Sequence, residues 1–101
     1  MPNMGQDTSV VFEKGLDAAR SGKYRDALNA WLPLAKDGQP LAQLNVGVLF
    51  VSGLLGEKDI EAALEWFDRA SKSGIPEIAE AVELVEKLDD INTFRKMLVF
   101  G

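Results

Sequence analysis

The chain has 101 residues, 47% hydrophobic and 27% charged, a composition typical of one small globular domain. It contains no cysteine and no histidine, which excludes disulfides, thiolate catalysis, Cys-type zinc sites and histidine general bases. Residues 51–101 hold 11 acidic and 6 basic side chains, which accounts for the net charge of −5. Because an acidic chain repels phosphate backbones, we expect no nucleic-acid partner. We also expect no cofactor, no metal and no enzymatic activity.

The N-terminal residues and one uncharged stretch indicate where in the cell the protein is expected and whether it enters a membrane. Residues 1–10 lack a basic cluster followed by an apolar run, so no signal peptide is visible. We therefore expect a cytoplasmic protein, with a processed periplasmic form left open. Residues 38–56 carry no charge, and their length would suit a membrane span. They include Pro40 and four glycines, however, which favours two buried elements joined by a turn and predicts no membrane insertion.

Three helices are predicted in the first half of the chain, each with an apolar face and a glycine just past its end. Asp7 or Thr8 caps the first helix. Pro33, inside the second helix, lacks a backbone N–H and crowds the carbonyl of Asn29, so a bend is expected there. The three helices cover residues near 8–20, 24–37 and 40–52.

Three more helices are predicted after a polar loop that runs from Gly53 to Lys58. Asp59 caps the fourth helix, Pro76 begins the fifth, and Asp89 and Asp90 separate the fifth from the sixth. No window alternates apolar and polar residues with the period of a strand, so we predict no sheet. These helices cover residues near 59–73, 76–88 and 90–99.

An internal repeat appears when the sequence is shifted by 36 residues. In each copy an apolar helix ends at glycine, which tolerates a left-handed conformation, and the next begins at proline, which suits the first helical turn. Repeats of about this period are typical of stacked helix pairs that share one core. The matching residues are Ala27 with Ala63, Leu28 with Leu64, Trp31 with Phe67, Gly38 with Gly74, and Pro40 with Pro76.

Two segments of the second copy carry a family resemblance. Residues 42–53 read AQLNVGVLFVSG, and residues 59–74 read DIEAALEWFDRASKSG. They resemble helix A and helix B of a Sel-one-like repeat, a relative of the tetratricopeptide repeat. Residues 15–38 resemble the short-loop opening repeat of that family, and the whole resemblance covers residues 10–82. The loop Gly53-Leu-Leu-Gly56 departs from the pattern, because the family usually has its second glycine one residue earlier.

The resemblance implies an all-α fold, a right-handed α-solenoid of about two and a half helix-turn-helix repeats with a C-terminal capping helix. Gly15 and Gly47 would let the two helices of each pair approach closely. Trp31, Phe50, Trp66 and Phe67 would fill the layers between pairs. The chain would be a single domain of residues 1–101, with an opening repeat at 8–38, a Sel-one-like repeat at 39–74, and a half repeat with cap at 75–101.

The implied function is a non-catalytic protein-protein interaction module or adaptor. Helix A of each repeat lines the concave face in this superfamily, so the resemblance places a partner protein or peptide there. The alternative is a structural or assembly domain, whose concave face is closed by its own C-terminal helix or by homodimerisation. The implied partner-binding residues are Phe12, Leu16, Ala19, Leu44, Val48, Val51, Glu80, Leu84 and Lys87.

Two features near the C-terminus allow more than one interpretation. Residues 77–90 are rich in acid, which would suit either a solvated cap or a docking patch for a basic partner, and the capping role is favoured. Ile91, Phe94 and Leu98 share one helical face. That face could cover the end of the stack, reach the concave face, or pair two chains.

Overall fold

The computed structural model describes residues 8–87, and that part of the chain is helical with no strand. Helices make up 78% of it. Their ends agree with the first five predicted helices to within two residues. The predicted sixth helix at 90–99 lies outside the described residues, as does its capping role. The five helices are α1 (Thr8–Arg20), α2 (Tyr24–Lys36), α3 (Pro40–Ser52), α4 (Ile60–Ser71) and α5 (Pro76–Glu86).

The repeated glycine and proline mark helix boundaries as predicted. Gly38 and Gly74 have φ angles of 100° and 82°, a left-handed conformation that side chains with a Cβ rarely adopt. Pro40 and Pro76 then occupy the first turns of α3 and α5. Pro33 lies inside α2, which continues past it to Lys36. The predicted bend at Pro33 stays a prediction.

The helices pack in the pairs expected of a helical repeat. Helix α1 packs against α2, and α3 packs against α4. The two pairs join where α2 contacts α3, and α5 then contacts both α3 and α4. We call α1, α3 and α5 the A helices and α2 and α4 the B helices. One apolar core runs through all five.

A glycine–aromatic contact closes each pair. Any Cβ at Gly15 would collide with the indole of Trp31, and any Cβ at Gly47 would collide with the ring of Phe67. Both rings are almost wholly buried, and both lie against the glycine of their own pair. The indole N–H of Trp31 also donates a hydrogen bond to the carbonyl of Phe12, at 3.1 Å. The predicted close approach at the two glycines is therefore confirmed.

The longer loop of the second helix pair explains why no single shift of the sequence aligns every matching residue of the two repeats. Gly15 precedes Trp31 by 16 residues, whereas Gly47 precedes Phe67 by 20. The four extra residues lie in the linker between α3 and α4, which spans residues 53–59, against 21–23 in the first pair. The backbone N–H of Asp59 donates to the carbonyl of Phe50 at 2.8 Å, which closes the longer linker. The insertion therefore leaves the interhelical contact unchanged.

Helix α3 lies at the centre of the described fold. Nine of its 13 residues are buried, so it lacks the exposed polar face of an ordinary surface helix. Gln43 donates its side-chain N–H to the carbonyl of Ala35 on α2, at 3.1 Å. Asn45 is fully buried, and neither polar atom of its amide has a hydrogen-bond partner within residues 8–87. An unpaired buried amide destabilises a fold, so Asn45 is a weak point of the core.

We expect Gly47→Ala to lower the free energy of unfolding. The added methyl overpacks the contact with Phe67, which costs roughly 1–3 kcal/mol. Better helix propensity returns at most about 1 kcal/mol of this. Urea denaturation followed by circular dichroism measures the change. Asn29→Ala, at an exposed position of α2, is the control for propensity alone. A Gly47→Ala midpoint at or above that of the wild type would contradict the close contact.

We expect Asn45→Leu to raise the free energy of unfolding by about 1–3 kcal/mol, because it replaces an unpaired buried amide with an apolar side chain of similar size. The same denaturation experiment measures it. Asn29→Leu serves as the control, since that asparagine is exposed. If Asn45→Leu instead destabilises the protein, the amide makes a hydrogen bond that stabilises the fold.

Candidate functional site

The partner-binding residues that the resemblance implied lie on the A helices or at the end of α5. The structure buries some of them and leaves others exposed. Leu16 and Ala19 on α1 are 5% and 6% exposed, and Leu44 and Val48 on α3 are fully buried. These four side chains belong to the core and present almost no surface to a partner. They lack the solvent-facing position that a concave binding face requires.

The other five predicted site residues are reachable to different degrees. Phe12 is half-buried, with its ring centroid 5.8 Å from that of Trp31, and Val51 is half-buried on α3. Glu80, Leu84 and Lys87, towards the end of the described chain, are exposed. Exposed surface among the predicted residues is therefore concentrated on α5 and at its end.

A groove opens where the first turns of the A helices meet, and we call it the A-end groove. It has a volume of about 310 Å³ and lies between the start of α1, the start of α3 and the residue before α5. Its apolar surface comes from Phe12, Pro40, Leu41 and Ile75. Of these, only Phe12 was among the predicted site residues. The groove brings together residues that are far apart in sequence.

Three polar residues, Ser9, Glu13 and Gln39, also line the A-end groove. Glu13 is exposed and has no ion-pair partner within the part of the chain that the structure describes. Gln39 precedes α3, and its side-chain Oε1 is buried with no donor among residues 8–87. A buried acceptor without a donor is unfavourable for the folded state. The groove therefore combines apolar walls with a hydroxyl, a carboxylate and an amide side chain.

The sequence carries one local sign of this groove, at Ile75. Ile75 occupies the N-cap position of α5, where serine, threonine, asparagine and aspartate are preferred, and no side chain caps that helix. Its side chain is 42% exposed. An exposed β-branched apolar residue at a cap position contributes to neither helix capping nor the core, which is a reason to consider a surface role.

A second, more polar depression lies at the opposite ends of the A helices. It has a volume of about 290 Å³ and is bounded by the start of α2 and by the loop of the second pair. Lys23, Arg25 and Asp26 lie on one side, and Leu54 and Leu55 on the other. Its mixed charges favour no particular ligand.

Two exposed acidic side chains pair with an arginine on their own helix. Asp17 pairs with Arg20 at 3.3 Å, and Glu65 approaches Arg69 to 4.0 Å, both on exposed helix surface. Within residues 8–87, no group of three or more acidic residues is arranged to hold a metal ion. No helix in that range is long and apolar enough to cross a membrane.

Comparisons with known proteins identify no family for this chain. No protein-family model, no curated protein and no solved structure matches it. The site is therefore judged from its own residues and geometry.

Proposed function

We propose that this chain is a non-catalytic protein-interaction module, built as a right-handed solenoid of the Sel-one-like type, and that its A helices bind a partner protein or peptide. The observation that carries the proposal is the A-end groove. It is an apolar cleft formed by three elements, and clefts of this composition are where proteins most often bind ligands.

Two exposed apolar residues lie at opposite ends of α5. Leu84, in its last turn, is 52% exposed, and Ile75, at its N-cap, is 42% exposed and lines the A-end groove. Large exposed apolar surface is typical of protein interaction sites. Because α5 packs on α3 and α4, these side chains belong to the folded unit. The partner would contact α5 and the A-end groove, with the buried residues of α3 supporting both.

A second candidate function is assembly, in which the A-helix surface is covered by the chain's own C-terminal residues or by a second copy. The exposure of Leu84 near the end of α5 favours it, since a stack of helix pairs has an apolar end that must be covered. Analytical ultracentrifugation separates the two functions. A wild-type dimer that Leu84→Glu converts to a folded monomer would favour assembly by homodimerisation over partner binding.

We expect Leu84→Glu to abolish co-purification of the partner, because a carboxylate cannot be buried against an apolar partner surface without loss of affinity. The measurement is affinity purification of the tagged chain followed by quantitative mass spectrometry. Leu64→Glu is a closely matched control, because Leu64 lies on the B helix α4 and is 50% exposed. Circular dichroism should show both variants folded. Equal recovery of the same proteins by wild type and both variants would contradict binding through α5.

A further inference from the structure

One side of α5 is exposed along its length, and we call it the α5 stripe. Its residues recur at intervals of three and four, which places them on one side of the helix: Glu77, Glu80, Leu84 and Lys87. All four are exposed, and Leu84 is the apolar member. The stripe therefore has an apolar centre, with two carboxylates towards the start of α5 and an ammonium group at its end.

The matching residues of α3 are covered, which makes the exposure of the α5 stripe unusual within this fold. The 36-residue shift of the internal repeat aligns Leu44 with Glu80 and Val48 with Leu84. Leu44 and Val48 are fully buried, whereas Glu80 and Leu84 are exposed. The last pair of a helical stack exposes the surface that earlier pairs bury, and that surface has to be polar or covered. Leu84 is apolar, so we looked for an element that covers it.

The sequence directly after α5 carries the complementary groups in the complementary order. Two acidic residues come first, then apolar residues and then two basic residues: Asp89, Asp90, Ile91, Phe94, Arg95 and Lys96. Helices joined by a short linker run antiparallel to each other. An antiparallel return along α5 sets the acidic residues beside Lys87, the apolar residues beside Leu84 and the basic residues beside Glu80.

The predicted turn at Asp89 sets which residues would meet. Leu84 precedes Asp89 by five residues and Phe94 follows it by five, so an antiparallel return brings these two apolar side chains together. Arg95 flanks Phe94, and its long side chain can span the single helical turn from Leu84 to Glu80. Glu80 makes no salt bridge within residues 8–87. Because exposed ion pairs contribute little free energy, the apolar contact would supply most of the affinity and the charges would fix the direction.

We propose that residues 91–98 of the same chain dock along the α5 stripe, with Phe94 packed on Leu84 and Arg95 paired with Glu80. The short tether gives this segment a high effective concentration at the stripe, which favours it over the same segment of a second copy. The segment then covers the surface through which α5 binds a partner, so it acts as an autoinhibitory contact that the partner displaces. The autoinhibitory role rests on the proposed function, whereas the docking itself does not.

A nitroxide spin label tests where the segment lies. The chain has no cysteine, so Met97→Cys provides a single attachment site in the full chain. We expect the label to broaden the amide resonances of residues 77–87 and to leave those of α1 unchanged. A mixture of unlabelled ¹⁵N chains with spin-labelled ¹⁴N chains detects contact between copies. Broadening of α5 that appears in this mixture would assign the stripe to a second copy and overturn the proposal, as would an α5 that is not broadened at all.

A synthetic peptide of residues 88–98 tests the individual contacts by isothermal titration calorimetry. We expect it to bind full-length Phe94→Ser roughly tenfold more tightly than the wild type, whose own segment covers the stripe. Adding Glu80→Arg to that variant should weaken binding roughly twofold to fivefold, and a peptide with Arg95→Glu should recover the loss. Adding Glu61→Arg, the same charge change on α4, should leave the affinity unchanged. Equal affinity for wild type and Phe94→Ser, or no recovery by the exchanged charges, overturns the proposed contacts.

Co-purification separates the autoinhibitory role from the proposed function. Proteins that Leu84→Glu fails to recover should be recovered in larger amount by Phe94→Ser, because that variant frees the stripe. If such proteins exist and Phe94→Ser does not raise their recovery, the autoinhibitory role is overturned and partner binding stands. If the spin label places the segment on α5 and no protein depends on Leu84, the docking stands and the proposed function fails.

Discussion

The close approach of a glycine on each A helix to an aromatic ring on its B helix is the contact on which the rest of the fold depends. Gly15 receives Trp31, and Gly47 receives Phe67. With no Cβ on the A helix, the ring can lie directly on helix backbone, and the two helix axes come close enough to exclude water. The two contacts set the geometry within each pair, and the contact of α2 with α3 joins the pairs into one core.

This helix packing determines which side chains remain exposed and could contact a partner. Helix α3 packs against α2, α4 and α5, so even its polar residues Gln43 and Asn45 are buried. Four of the nine residues that the resemblance assigned to a partner therefore belong to the core. The exposed members of that set, Glu80, Leu84 and Lys87, lie on α5 and at its end. The proposed interaction function depends on the exposed apolar side chains Ile75 and Leu84 and on the A-end groove.

The candidate site was harder to predict than the helices that form it. The superfamily pattern places the helix A residues on one binding face. This placement assumes that each helix has one side facing the core and one side facing solvent. Helix α3 violates that assumption, since neighbours cover most of its circumference. Leu41 and Ile75 belong to no periodic pattern, because one begins a helix and the other ends a connection, and the only local sign at Ile75 is its unusual residue type for an N-cap. Only their spatial convergence with Phe12 reveals the A-end groove.

The sequence by itself determined the number and bounds of the first five helices, because apolar periodicity, glycine at the helix ends and proline in the first turns are local signals. It also indicated a close approach of helices at Gly15 and Gly47, but the prediction placed Trp31 and Phe67 between pairs, whereas each ring lies against the glycine of its own pair. Only the tertiary structure decided which apolar side chains are core and which are surface, because burial depends on neighbours distant in sequence. The same is true of Gln39 Oε1 and the Asn45 amide, whose lack of a hydrogen-bond partner among residues 8–87 depends on the tertiary packing and on no local motif.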